Sequence, residues 1–397
     1  ATMTDLTPFQ TEVLCLLIGG NPLPDYVSAI LLARPGARVY LLHTSATLEF
    51  AQRLAQALAQ PRPDITCTPI EISKADPQQI ERRLQSLIRE WGPNTSIGLN
   101  YTGGSKPMAA QAYHSLSQAY PRGTFSYLDA DTLSLILAAP GMPVQQYPIG
   151  QQVRVSLATL LGLHGYAITG QRSPGLPPAL RQALVRVHSD REGFKQYRAW
   201  LLTFGQGAPQ LPVMEQFPTL APVLQAFEAL CAPAPATPEN VARALGFKNG
   251  QLGSCTKVLA ADWLEEHAYT ALQTLAPQLG LHEIGLGLQV QGSATRNFEF
   301  DVTAVLGYQL FAVSCIASDR SQNAKDHLME TFVRARQFGG DEARAALVCC
   351  LENPAEMEQE ITQGWGAEDK IRVFGRSHLP DLAAHFYEWI IKAARLR

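Results

Sequence analysis

The first third of the chain alternates continuous apolar runs with amphipathic ones, and this alternation restricts the fold more than any other feature. "EVLCLLIGG" (12–20), "ARVYLLHTS" (37–45), "ITCTPIEI" (65–72) and "TSIGLNYTGG" (95–104) read as strands. Helix-length stretches separate them, among them "TLEFAQRLAQALAQ" (47–60) and "PQQIERRLQSLIREWG" (77–92). Strands that are apolar throughout are buried on both faces, which calls for a parallel sheet with helices on each side. "TFSYLDA" and "LSLILAA", separated by a short turn within 124–139, read as a closing hairpin. The expectation is an α/β fold whose residues 1–145 form a Rossmann-like, doubly wound domain.

Residues 146–260 read differently. Gly and Pro are frequent over 140–180, and 178–262 is mainly helical in pattern. "PATPENVARALGFKNGQLGSCTKVLAADWL" has helix–turn–helix periodicity. A winged-helix-like connector is expected, as a packing module or as a DNA reader. Residues 261–397 run helix, three strands, helix, strand, a compact mixed α/β domain.

With 46% hydrophobic and 17% charged residues, the 397-residue chain has room for two or three cores. A net charge of −3 excludes a generally basic coat for nucleic acid and leaves a local basic groove open. The seven cysteines form no CxxC pair, and Cys15, Cys315, Cys349 and Cys350 sit in apolar strand-like runs. Buried, reduced thiols in a cytoplasmic protein are the expectation. No apolar run approaches the ~18 residues of a bilayer span. The start, "ATMTDLTPFQ", has no charged segment leading into an apolar one, so neither a signal peptide nor a membrane partner is expected.

In an open α/β sheet, ligands bind beyond the carboxyl ends of the strands. Three such ends stand out: "GGNPLPD" (19–25), "HTSAT" (43–47) and "NYTGGSK" (100–106). Glycines let backbone N–H groups approach a phosphate, and a following helix N-terminus favours an anion. The candidate binding residues are Gly20, Asn21, Pro22, Thr44, Ser45, Asn100, Thr102, Gly103, Gly104, Ser105 and Lys106. Thr102 and Ser105 offer hydroxyls, Lys106 a charge, and Asn100 an amide to read a base or ribose edge. The plainer alternative is that Gly103 and Gly104 only make a tight strand-to-helix turn. Neither a P-loop nor a GxGxxG fingerprint is present.

"NYTGGSKPM", taken with "GGNPLPD", resembles the turns of the CRISPR-associated Rossmann-fold (CARF) sensor domains. The N-T-G-G-[ST]-K pattern matches at Asn100, Thr102, Gly103, Gly104, Ser105 and Lys106. The resemblance implies a homodimer whose two-fold axis shares one cyclic oligoadenylate, with cyclic tetra-adenylate the expected ring. Some sensors of this fold cleave their own ligand; the nearest candidate base here is His43.

In the C-terminal third, period-two alternation puts Glu299, Asp301 and Thr303 on one strand face and Phe298, Phe300 and Val302 on the other. A strand Asp among apolar residues is costly to bury without donors or a cation. Glu265 and Glu266 lie on the preceding helix. Such oxygens suit a hard divalent cation that polarises a phosphate. Solvated carboxylates are the alternative.

"DWLEEHAYTAL … EFDVTAV … QLFAVSC … RARQFGGDEARAALVCC" resembles the PD-(D/E)xK nuclease domain that CARF sensors carry in CRISPR type III ancillary nucleases. The resemblance implies metal ligands Glu265, Glu266 and Asp301, a Mg2+ or Mn2+ cofactor, and catalytic Glu266 and Asp301. The third motif departs: Ser314-Cys315-Ile316 supplies neither the second carboxylate nor the lysine that orients the attacking water. Lys325, which opens the next helix, is the candidate substitute, with a helix-surface lysine as the alternative. Arg334 and Arg336 can track a nucleic-acid backbone.

Two functions follow from the resemblance. One is a metal-dependent endonuclease of single-stranded RNA, single-stranded DNA or duplex, activated by cyclic oligoadenylate. The other is a cyclic-oligoadenylate sensor with a degenerate, non-cleaving nuclease fold.

Overall fold

The structure is a computed structural model that describes residues 4–138, 141, 143–204, 209–248, 251–292 and 297–396. Ala1–Met3, at the start of the stretch read for a signal peptide, lie outside the described residues, as do Asn249 and Gly250 in the expected helix–turn–helix.

The first sheet holds β1 (Thr11–Leu17), β2 (Ala33–His43), β3 (Thr66–Glu71), β4 (Ile97–Asn100), β5 (Thr124–Asp129), β6 (Ser134–Leu137) and β7 (Gln145–Pro148). Their order is β3-β2-β1-β4-β5-β6-β7. The first five are parallel, and β5, β6 and β7 pair antiparallel. Alternation in β1 sorts Val13, Cys15 and Leu17 onto one face, under the helices Pro77–Trp91 and Lys106–Ala119. Leu14, Leu16 and Ile18 take the other, where the helices Leu23–Leu32 and Leu48–Ala59 pack. The strand order reverses between β1 and β4, so the crevice lies at their carboxyl ends.

The second sheet has the order β13-β12-β11-β10-β9-β8. Its strands are β8 (Tyr166–Gly170), β9 (Glu283–Gly292), β10 (Phe298–Leu306), β11 (Gln309–Ile316), β12 (Arg344–Cys349) and β13 (Ile371–Phe374). The pairs from β8 to β11 are antiparallel, and β11, β12 and β13 are parallel. One apolar cluster runs unbroken from the first sheet (Leu14, Val39) into the second (Phe300, Leu310) and the helix Ser321–Gly339 against it (Phe338). The two sheets therefore share a core.

Two expectations are corrected here. The stretch 146–260 is more than a linker and helical connector: β7 completes the first sheet, and β8 is the edge of the second, with Tyr166 opposite Gly292 and Ile168 opposite Val290. Short strands flanked by Gly and Pro carry too little pattern to be separated from a linker. Among the described residues the middle unit also shows no wing. Its described residues from Pro178 to Asp262 are helices and turns, and Trp200, Phe204 and Phe227 pack them into the same core as Trp263, Val302 and Phe311. All seven cysteines are unbridged, and all but Cys67 are buried. No described helix is long and apolar enough to cross a membrane.

Candidate nucleotide crevice and nuclease centre

The turns after β1 and β4 meet in the crevice. A Cβ on Gly19 would lie 3.1 Å from the Gly104 amide nitrogen, and one on Gly103 would lie 2.1 Å from the Leu17 carbonyl oxygen. Gly104 has φ +76°, a left-handed conformation that L side chains resist. The glycines are thus required by close approach as well as by the turn.

Polar side chains build this turn from within. Asn100 is 0% exposed; its Nδ2 donates to Ser126 Oγ at 3.0 Å and its Oδ1 accepts from the Thr102 amide at 3.2 Å. The expectation that Asn100 reads a base or ribose edge is therefore corrected: both ends of its amide are committed inside the protein. Thr102 Oγ1 accepts from the Leu128 amide at 2.7 Å. Ser105 caps the following helix, accepting from the Met108 amide and donating to the Lys74 carbonyl. Thr44 is buried, its amide and hydroxyl engaged with Thr47. Pro22 is buried at the start of its helix. The surface offered to a ligand comes from the exposed Gly20, Ser45, Gly104 and Lys106, at the end of a helix whose N-terminal dipole favours anions.

Asn21 belongs to a different place. Its Nδ2 donates to Glu342 Oε2 at 3.0 Å, and its Oδ1 lies 3.2 Å from His164 Nε2. Asn21 therefore joins the crevice turn to the second sheet, a correction to its reading as a ligand contact. Burial pushes the Glu342 carboxyl up to about 7, against the Asn21 hydrogen bond. His43, the candidate base, is buried with Nδ1 2.9 Å from the Thr44 carbonyl.

In the second centre, β10 places Asp301 beside β11. Asp301 Oδ2 accepts from the Cys315 amide at 2.7 Å and from Ser314 Oγ at 2.9 Å. Burial raises its pKa, and those two bonds oppose the rise. Ser314, where the second carboxylate of the motif was missing, is thus a hydrogen-bond donor to the first. His327, on the helix Ser321–Gly339, lies with Nδ1 3.5 Å from Ser314 Oγ. Glu265, on the helix Trp263–Leu279, is pushed up to about 8, first by burial and then by the charge of Asp301, with Arg172 pulling the other way. A carboxyl in that range can hold or deliver a proton near neutral pH.

Glu266 is elsewhere. It is 3% exposed and accepts the amide of Leu176 at 2.8 Å and that of Gly175 at 3.0 Å. Successive helix residues point in different directions, so only one of the glutamate pair can face Asp301, and it is Glu265. The catalytic and ligand expectation for Glu266 is corrected accordingly. Lys325 is corrected too: its Nζ is committed to Glu360 at 2.6 Å on the helix Pro354–Trp365. Arg336 likewise is paired with Asp341.

Sequence reasoning missed Arg172. It follows β8, donates to Asp262 at 3.2 Å, and pairs closely with Glu265. "TGQRSPG" reads as a loop and gives no signal of this. His327, two residues past Lys325, was overlooked because no motif calls for it.

A hard cation suits the donor chemistry here, since Glu265 and Asp301 are oxygen ligands and Mg2+ or Mn2+ keeps several waters. As placed, no three of His, Cys, Asp and Glu among the described residues come close enough to enclose a metal. Arg172 brings a positive charge into contact with Glu265 and Asp262, and Lys257 lies 3.8 Å from Asp262.

Residues 253–393 match the family of the Card1-like endonuclease domain. Over 193 residues the chain is 26% identical to the CRISPR system endoribonuclease Csm6 of Thermus thermophilus, an alignment covering 46% of this chain and 40% of Csm6. The chain thus spans less than half the length of that relative. Two solved structures match nearly end to end. Can2 from Sulfobacillus thermosulfidooxidans, in complex with cyclic tetra-adenylate, has a TM-score of 0.72 at 18% identity, covering 97% of this chain and 98% of that one. Protein VC1899 from Vibrio cholerae has a TM-score of 0.68 at 16% identity, covering 96% and 98%. At these identities the likeness is one of fold. Residues 253–393 thus match a Card1-like endonuclease domain, and the chain as a whole has the fold of Can2 and VC1899.

Proposed function

We propose that the chain is a CRISPR type III ancillary nuclease that binds a cyclic oligoadenylate at the β1/β4 crevice and cleaves nucleic acid at the Asp301–Glu265 centre. The observation that carries this reading is the pair of half-buried carboxylates, Glu265 and Asp301, that feel each other's charge within the matched endonuclease domain. Can2, which shares the fold, was solved with cyclic tetra-adenylate, and that ring is the proposed ligand. The exposed Gly104 and Lys106 would meet its phosphates through backbone N–H groups and charge. A homodimer sharing one ring across its axis is part of the proposal. Mg2+ or Mn2+ would be held by Glu265 and Asp301 and would polarise the phosphate and the attacking water. On this reading the bonds from Ser314 Oγ and the Cys315 amide favour the ionised form of Asp301 against its burial, and Glu265 is the second carboxylate.

A second reading is favoured by Ser314-Cys315-Ile316 and by the Lys325–Glu360 pair, which leave the third motif without its acid and its lysine. On that reading the domain senses the ligand and binds nucleic acid without cutting it. One assay separates them. The protein is incubated with Mn2+ and labelled single-stranded RNA, single-stranded DNA or supercoiled plasmid, with and without cyclic tetra-adenylate, alongside Asp301→Ala. Cleavage that needs the ligand and is lost in the variant establishes the nuclease and names its substrate. Ligand binding with no cleavage of any substrate establishes the sensor.

A further inference from the structure

Arg172 stands where a cation belongs. Its guanidinium contacts Asp262 and Glu265, and Glu265 in turn feels the charge of Asp301 and Glu299. The position is built. The Arg172 amide donates to the Leu286 carbonyl at 2.8 Å, which extends the β8–β9 pairing past the end of β8. Gly287, next on β9, leaves room for the side chain: a Cβ there would lie 2.8 Å from Arg172 Nε and 3.1 Å from Glu299 Oε1. The other end of the same strand lies against the crevice turn. His164, just before β8, bonds the Leu160 carbonyl through Nδ1 and faces Asn21 Oδ1 through Nε2. A single short stretch of chain, His164 to Arg172, therefore has one end against Asn21, the residue after Gly20, and the other at the carboxylates of the nuclease centre.

We infer that Arg172 is an internal counter-ion that competes with a divalent cation for these carboxylates, and that β8 couples its withdrawal to the Gly20–Asn21 turn. The inference rests on the proposed nuclease reading for the place of the metal. A guanidinium and a divalent cation cannot share the same oxygens, because like charges at contact distance in a partly buried site repel strongly. Metal entry then requires Arg172 to leave. A ligand that binds better when the turn has moved favours the Arg172-out arrangement by the difference in its two affinities.

The test reads metal binding, not cleavage, so it stands or fails independently of the nuclease assay. MnCl2 is titrated calorimetrically into the full chain, into Arg172→Gln and into Arg172→Lys, each first shown to be folded by its thermal transition. Arg172→Gln is expected to bind Mn2+ about tenfold or more tightly than the unaltered chain. Arg172→Lys, which keeps the charge, is expected to stay within a few-fold of the unaltered chain. Adding Asp301→Asn to Arg172→Gln is expected to abolish the gain. Cyclic tetra-adenylate is expected to tighten Mn2+ binding by the unaltered chain, and Asn21→Ala to remove that effect. Equal Mn2+ affinity in the unaltered chain and Arg172→Gln overturns the competition, as does a gain that survives the loss of Asp301. Ligand binding that leaves Mn2+ affinity unchanged overturns the coupling.

Discussion

Glu265 and Glu266 are neighbours in sequence with opposite jobs, and substituting each in turn separates them. Glu266→Ala removes the acceptor of the buried Leu176 amide and of the Gly175 amide. A hydrogen bond to a charged group contributes about 1.5–3 kcal/mol. The Leu176 amide has nowhere else to go and costs its full share. Gly175 is exposed, so its amide regains water and costs less. The expected loss is about 2–4 kcal/mol, which corresponds to a fall in melting temperature of about 5–15 °C for a domain of this size. Glu266→Gln, which keeps one carbonyl oxygen for the Leu176 amide, is expected to lose about half as much. Glu265→Ala removes a carboxyl whose charged form burial and its acidic neighbours already disfavour, while Arg172 keeps Asp262. It is expected to melt within about 3 °C of the unaltered chain and to lose cleavage. The assay is thermal unfolding by circular dichroism, with activity measured well below the lowest transition. If Glu265→Ala is destabilised as much as Glu266→Ala, or if Glu266→Ala melts with the unaltered chain, the division of labour is wrong.

Three other outcomes follow from the structure. His188 is buried among Phe194, Tyr197 and Trp263, and burial depresses its pKa from 6.5 to about 4, so the unfolded chain takes up its proton first as pH falls. Stability is fully present above pH 6.5 and falls by about 3 kcal/mol toward pH 4; denaturant melts at several pH values should show this slope and lose it in His188→Phe. Gly103→Ala forces a methyl group against the Leu17 carbonyl and displaces the turn, so cyclic tetra-adenylate affinity should drop by about tenfold or more, and unchanged calorimetric binding would show that the turn does not shape the crevice. Lys325→Ala loses only a surface ion pair with Glu360, so stability should change by less than about 1 kcal/mol and cleavage should persist; loss of cleavage with intact folding would restore Lys325 to the centre.

Much of the fold was legible because its signals are periodic. The apolar runs at β1, β2, β3 and β4 sit where the sequence places them, and so do the helix before β9, the strands β9, β10 and β11, and the long helix Ser321–Gly339. The glycines of "NYTGGSK" were legible as a turn at a strand end. What the sequence did not show was the direction in which polar side chains point. Asn100 and Ser105 look like ligand contacts by type, yet the structure spends them on Ser126, Thr102, Met108 and Lys74. Glu265 and Glu266 are indistinguishable by type and are sorted only by helical phase against the Gly175–Leu176 loop. Arg172 was hidden because its partners lie far along the chain, beyond the whole helical unit.

The placement of β8 also decides what can be cut out of this protein. The endonuclease match begins at residue 253, which suggests a portable module. A fragment starting there would lack the strand that covers the edge of β9, leaving Gln289, Val290 and Gln291 with open backbone groups ready to pair with another chain. It would also lack Arg172 and the Gly175–Leu176 amides that hold Glu266. Such a fragment is expected to aggregate, and any of it that folds would carry unbalanced negative charge at its centre. The unit that recombination or engineering can exchange therefore begins before Tyr166, and it takes with it His164, the residue that faces Asn21 of the first domain.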